Sequence, residues 1–148
     1  MKGAVDVLDI TEMATELQQQ LGGQKTLLFV YKEDYIRLVV QAIKKFFVDV
    51  NHPDRYDWTL FTTNQDEHVG FDYNFNILQE EYIYILARLF YKRAIYSEFS
   101  GDGAISYTTN ALSVTGAKEG YKSIKQEIDD LERERLIVFH KMMAHEES

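Results

Sequence analysis

Four histidines, at positions 52, 68, 140 and 145, and two runs of carboxylates are the groups in this chain with the chemistry for metal binding or proton transfer. A zinc-binding helix places two histidines four apart with a glutamate beside the first. His140 and His145 are five apart and no third ligand lies nearby, so they read as surface or partner-facing side chains. Asp72, Asn74 and Asn76 imitate the opening of a calcium loop. Such a loop needs glycine at its sixth position and glutamate at its twelfth, where this chain has Ile77 and Ile83. These turn residues are expected to cap a helix instead. The stretch Gly116-Ala117-Lys118-Glu119-Gly120-Tyr121-Lys122-Ser123 approaches a phosphate loop. Its glycines are one residue too close, and Tyr121 stands where lysine must reach phosphate. A glycine-containing helix start capped by Thr115 is the reading that fits. Glu80-Glu81 and the acidic run from Glu127 to Glu134 carry carboxylates suited to acid–base work or magnesium, but they read as a helix first turn and a solvated face. No Ser-His-Asp or nucleophile-elbow pattern appears. The expectation is a chain with no catalytic residues, no metal and no cofactor, which acts by binding protein surfaces. An enzyme whose acidic residues meet only in the fold is a third-ranked reading.

The elements that position these residues follow from length and patterning. A chain of 148 residues, 45% hydrophobic and 27% charged, fits one folded domain, 1–148, with a single core. The formal net charge is −8 and no Lys/Arg run offsets it, which argues against sequence-reading contact with nucleic acid. Cysteine is absent, which fits a reducing compartment. Met1 to Asp6 place polar and acidic residues too early for a secretory signal, and no apolar run approaches membrane-spanning length. Ten tyrosines and nine phenylalanines supply rings suited to half-buried and contact surfaces.

The fold class expected is mostly α: a small bundle of about four helices with a long C-terminal helix and short β-hairpin insertions. A first helix starts at Asp9 or Thr11, carries Ile10, Met13, Leu17 and Leu21 on one stripe, and stops at Gly22-Gly23. Thr26 to Tyr31 is either extended or runs directly into the next helix. That helix spans Lys32 to Asp49 on the apolar face Ile36, Val39, Val40, Ile43, Phe46 and Phe47, and Asn51-His52-Pro53-Asp54 ends it. Trp58 to Thr62 and His68 to Tyr73 suggest two short strands. Between Ile77 and Phe99 apolar residues cover more than half the circumference, as in a central helix packed on several sides. Ser100 to Gly103 breaks it, and Ile105 to Thr109 suggests a short extended piece.

A final helix of about 117–146 follows, available to contact partners. Tyr121, Ile124, Ile128, Leu131, Val138 and Met142 recur at three- and four-residue spacing, interrupted only by Arg135. Beyond Arg135 the sequence is apolar nearly all round, close to the chain end. Tyr121, Arg135, Leu136, Phe139, Met142 and Met143 are therefore the candidate partner-binding residues.

From Phe71 to Met143 the order of features resembles the head–tail connector, or neck adaptor, family of tailed bacteriophages. An acidic opening, Phe71-Asp72 and Glu80-Glu81, leads into the helix Tyr82 to Arg93. A polar excursion follows, and Leu112-Ser113-Val114-Thr115-Gly116-Ala117-Lys118-Glu119-Gly120-Tyr121 enters a long charged helix. The resemblance implies a non-enzymatic virion protein of the neck, assembled in the host cytoplasm. It implies a homo-oligomeric ring, commonly twelvefold, between the portal protein and a tail-side connector or stopper. DNA passes through its channel without sequence-specific binding, and no membrane is involved. The alternative is a small cytoplasmic helical adaptor or regulatory protein that binds one partner.

Overall fold

The computed structural model describes residues 8–21, 28–63, 68–100 and 114–147, with backbone only for 99–100, 114–122 and 146–147. Among these, four helices are present: α1 (Ile10–Leu21), α2 (Lys32–Asp49), α3 (Ile77–Ser100) and α4 (Val114–Glu147). A three-stranded antiparallel sheet of order β1-β3-β2 accompanies them, built from β1 (Leu8–Asp9), β2 (Phe61–Thr63) and β3 (Val69–Phe71). The mostly helical class with a hairpin is the one the periodicities predict. Gly22-Gly23, Gly101 to Gly103 and Ile105 to Thr109 lie outside the described residues.

Local hydrogen bonding sets the helix ends. Asp9 begins α1 by accepting the Glu12 N–H at 2.9 Å. The Asp34 carboxylate accepts the N–H groups of Val30 and Tyr31, each at 2.9 Å, which fixes the entry of α2. Leu28 to Tyr31 is thus non-helical, resolving the choice that the sequence leaves open at these four residues. The exit of α2 is a double closure: the His52 N–H reaches the Phe47 carbonyl at 2.8 Å and the Asn51 N–H reaches that of Val48 at 3.1 Å. Asn51 adopts the left-handed conformation this closure needs, with φ at 64°. The helix therefore stops before Pro53 acts. Asn76 and Gln79 cap α3 reciprocally: Asn76 Oδ1 accepts the Gln79 N–H at 2.8 Å and Gln79 Oε1 accepts the Asn76 N–H at 3.0 Å.

Two expectations are corrected here. Trp58–Leu60 is a 3₁₀ turn rather than part of a strand, because Asp57 accepts the Thr59 N–H at 2.9 Å and curls the backbone. The last helix begins at Val114, so Thr115 and Gly116 lie inside it.

Leu8 pairs with Phe71 and Phe61 pairs with Phe71 from the other side, so β3 is the central strand. Thr11 ties the sheet to α1 by accepting the Val69 N–H at 2.6 Å. Phe71 stacks with Phe75 at 5.9 Å between ring centroids and meets Phe61 edge-on at 4.8 Å. The hairpin's rings thereby join those of Phe46 and Phe47 on α2.

The helices follow one another as neighbours, α1 on α2, α2 on α3 and α3 on α4. α3 is the spine: Tyr82, Ile83, Ile85, Leu86, Ala87, Leu89, Tyr91 and Ile95 are all buried. The Tyr91 hydroxyl donates to the Leu21 carbonyl at 2.7 Å, which docks the end of α1 onto the same helix. Shortening Leu86 to Ala should lower the unfolding free energy by about 2–5 kcal/mol in denaturant titrations. A loss below about 1 kcal/mol would show that α3 is not tightly packed.

The Asp34 cap carries a pH signature. The backbone N–H groups of Tyr31 and Val30 hold its carboxyl below the ordinary 3.8. Below 3.8 the unfolded chain takes up the proton first. The stabilisation is therefore complete above that value and is lost as pH falls through the lower folded value. Melting temperatures followed downward from pH 5 should drop more steeply for the native chain than for Asp34→Asn. Parallel curves would remove Asp34 from the account.

Candidate functional site

The last helix has an inner and an outer face. Ile124, Leu131 and Val138, seven residues apart, and then Met142 lie buried against the body of the protein. On the outside, Leu136 is 46% and Ile137 56% exposed. The expected single patch of Leu136, Phe139, Met142 and Met143 is thus divided. Met142 is only 3% exposed and belongs to the subunit's own core. Phe139 and Met143 are half-buried against that core, with the Phe139 ring 6.0 Å from the Tyr82 ring. The reason is that the inward stripe continues past Arg135 without a break, at the spacing it has before it. For Tyr121 the structure gives the helical backbone only.

Arg135 is drawn inward too. It stands on the inward stripe, where a charge requires partners. Its Nε donates to Glu132 Oε1 at 2.8 Å and its Nη1 to the Tyr82 hydroxyl at 3.0 Å. That hydroxyl donates in turn to Asp49 Oδ2 at 2.7 Å. Asp49 Oδ1 meets Lys45 Nζ at 2.8 Å, and Glu132 Oε2 accepts from Arg93 at 2.9 Å. One chain of polar contacts therefore joins α2, α3 and α4. Burial, reinforced by donation to Asp49, holds the Tyr82 phenol protonated far above its ordinary range. Burial opposes the charge of Arg135, but the bonds to Glu132 and Tyr82 outweigh it and raise its pKa. A second tie between α3 and α4 is Lys92, nearly buried, whose Nζ lies 2.6 Å from Glu127.

The bridge borders a concavity of about 260 Å³, with Leu86, Leu89 and Phe90 beside the charged groups. A larger and more open groove of about 560 Å³ lies between the start of α3 and the end of α4, where Ile77 and His145 both line it. By contrast with the paired bridge, the hydroxyls of Tyr56 and Tyr84 and Nε of Arg88 are buried without a hydrogen-bond partner among the described residues. The Arg88 guanidinium lies 5.7 Å over the Tyr84 ring. Among the described residues no three His, Cys, Asp or Glu side chains are grouped to hold a metal ion, and no helix is long and apolar enough to cross a membrane. His140 and His145 are both exposed.

Lys45, Asp49, Tyr82, Arg93 and Glu132 are the members of this cluster that sequence reasoning missed. The available signal was Arg135 itself, the one charge interrupting an apolar stripe. Comparison of the chain with protein-family models, with curated proteins and with solved structures gave no match.

Removing the Tyr82 hydroxyl by Tyr82→Phe leaves an Asp49 oxygen and an Arg135 N–H without their partner. Stability should fall by about 1–3 kcal/mol. A loss within experimental error would mean that the bridge contributes nothing. The two faces of α4 also separate by mutation. Met142→Ser should destabilise by at least about 2 kcal/mol, and Leu136→Ser by no more than about 0.5 kcal/mol. Equal losses in thermal melts would contradict the division.

Proposed function

We propose that this chain is a structural subunit of a tailed-phage neck, forming an adaptor ring between the portal and the tail-side connector. The reading rests on the feature order from Phe71 to Met143. One structural observation carries it further: Leu136 and Ile137 are exposed on a helix whose opposite face is anchored in the core. Apolar side chains held out on a fixed helix suit a stable docking surface, because the free subunit need not unfold to present them. The half-buried Phe139 and Met143 extend that surface, and methionine adapts its shape to a partner. A net charge of −8 suits a channel through which DNA must slide, since acidic walls repel phosphates rather than grip them.

The variant carrying Leu136→Ser and Ile137→Ser tests this reading. It should melt like the native chain and remain soluble and helical, yet be missing from particles. The infected cell should then accumulate DNA-filled or leaking heads without tails. Normal incorporation of the folded variant overturns the docking role. A native chain that stays monomeric and ignores portal complexes overturns the neck reading and favours the one-partner regulator.

A further inference from the structure

Three cations stand round the small hollow between α2, α3 and α4, and each helix supplies one: Lys45 from α2, Arg93 from α3 and Arg135 from α4. The two carboxylates that line it, Asp49 and Glu132, are already held at both oxygens. Lys45 and Tyr82 take those of Asp49, and Arg135 and Arg93 take those of Glu132. The cations keep donors in reserve. Among the described residues the Lys45 ammonium meets one carboxylate, Arg93 commits one N–H of its Nη2, and the Nη2 group of Arg135 is uncommitted. The side chains of Lys45 and Arg93 are 47% and 48% exposed, so their spare donors are within reach of solvent, while Arg135, at 22%, stands deeper. Spare charged donors from three helices round one hollow make an anion site.

Charge and size select the anion. Three positive groups against two negative ones leave a surplus of one, so a singly charged ligand brings the site to neutrality. A doubly charged phosphate would set its second charge against Asp49 and Glu132. A carboxylate carries the single charge, and its two oxygens match the planar fork of a guanidinium. The volume is about 260 Å³, below the roughly 300–1,000 Å³ of sites for drug-sized ligands. It suits a carboxylate on a stem of a few carbons. Of the apolar lining, Leu86 and Leu89 are buried and Phe90 is half-buried, so Phe90 offers that stem its main contact.

We propose that this hollow binds a small organic acid, one carboxylate on a short hydrocarbon stem, held by Lys45, Arg93 and Arg135. The site goes beyond the neck reading and does not depend on it. Lys45 and Arg93 meet the carboxylate at the mouth, the Nη2 group of Arg135 meets it from within, and the stem lies along Phe90. Asp49, Tyr82 and Glu132 position these cations. Because the cations come from three helices, an occupied site ties α2, α3 and α4 together and stabilises the folded chain by mass action.

The test titrates the full-length chain with sodium butyrate at fixed ionic strength, with chloride making up the difference, since half-exposed charges are screened by salt. The NMR signals of the Leu86 and Leu89 methyls and the Phe90 ring should move together along one saturating curve, with a dissociation constant of about 1–10 mM. The melting temperature should rise with butyrate above the chloride control. Butyramide, uncharged and of the same shape, should do neither. Lys45→Gln with Arg93→Gln should weaken binding about tenfold or more. Its melt in chloride should stay close to native, because exposed ion pairs contribute little. Arg93→Lys keeps the charge and loses the fork, so its affinity should fall between the two. A native chain that responds to butyrate no more than to chloride or butyramide overturns the proposal. So does native affinity in the Lys45/Arg93 variant, or in Arg93→Lys should the double variant fail to fold. Inorganic phosphate that binds the hollow more tightly than butyrate overturns the choice of a carboxylate.

Discussion

Everything in this protein is arranged around the need to cover α3. Apolar residues cover more than half of its circumference, and a helix of this kind is stable in water only when neighbours enclose most of it. α2 covers one side, and the end of α1 is tied to α3 where the Leu21 carbonyl accepts from the Tyr91 hydroxyl. α4 covers the side that remains. The consequence for α4 is a fixed register, since Lys92 meets Glu127, Arg93 meets Glu132 and Tyr82 meets Arg135 along an antiparallel pair. With 34 residues against 24, α4 is about 15 Å longer than the helix it covers. α4 packs chiefly on α3, and its outer face carries the exposed Leu136 and Ile137.

The polar bridge makes that arrangement specific. Apolar packing alone tolerates rotation or sliding of one helix on another, because hydrophobic burial is non-directional. Hydrogen bonds from Arg135 to Tyr82 and from Tyr82 to Asp49 are directional, and they tie three helices at one point. Sliding α4 by one turn would strand a charge on its inward stripe, at a cost of several kcal/mol. The bridge thereby fixes which residues face inward, Val138 and Met142, and which are left outside, Leu136 and Ile137. The exposure of Leu136 and Ile137 follows from the same constraint that closes the core.

Much of this was legible in the sequence where local rules act alone. The Lys32–Asp49 helix could be read to its ends because its apolar period is regular and turn residues follow it. The mechanism of its exit was not legible: Asn51 in a left-handed conformation is a geometric fact that Pro53 obscured. The stretch from Trp58 mixes ring-bearing and polar residues as strands do, and only the Asp57 cap shows that it first makes a 3₁₀ turn. In α4 the all-round apolarity beyond Arg135 hid the difference between Leu136 and Met142, since period alone cannot separate faces when every face is apolar. The partners of Arg135 were invisible for another reason. Asp49 and Tyr82 lie 86 and 53 positions away in sequence, and only the packing of α2 and α3 brings them to it.

The central claim is that one helix serves as core on its inner face and as interface on its outer face. Hydroxyl-radical labelling of side chains, compared between the free subunit and assembled particles, measures both faces at once. Methionine is readily oxidised when solvent reaches it, so Met142 reports sensitively on the inner face. The account predicts little labelling of Val138 and Met142 in either state, and labelling of Leu136 and Ile137 that is strong in the free subunit and suppressed on assembly. Ready oxidation of Met142 in the free subunit, or labelling of Leu136 and Ile137 that assembly leaves unchanged, would contradict it.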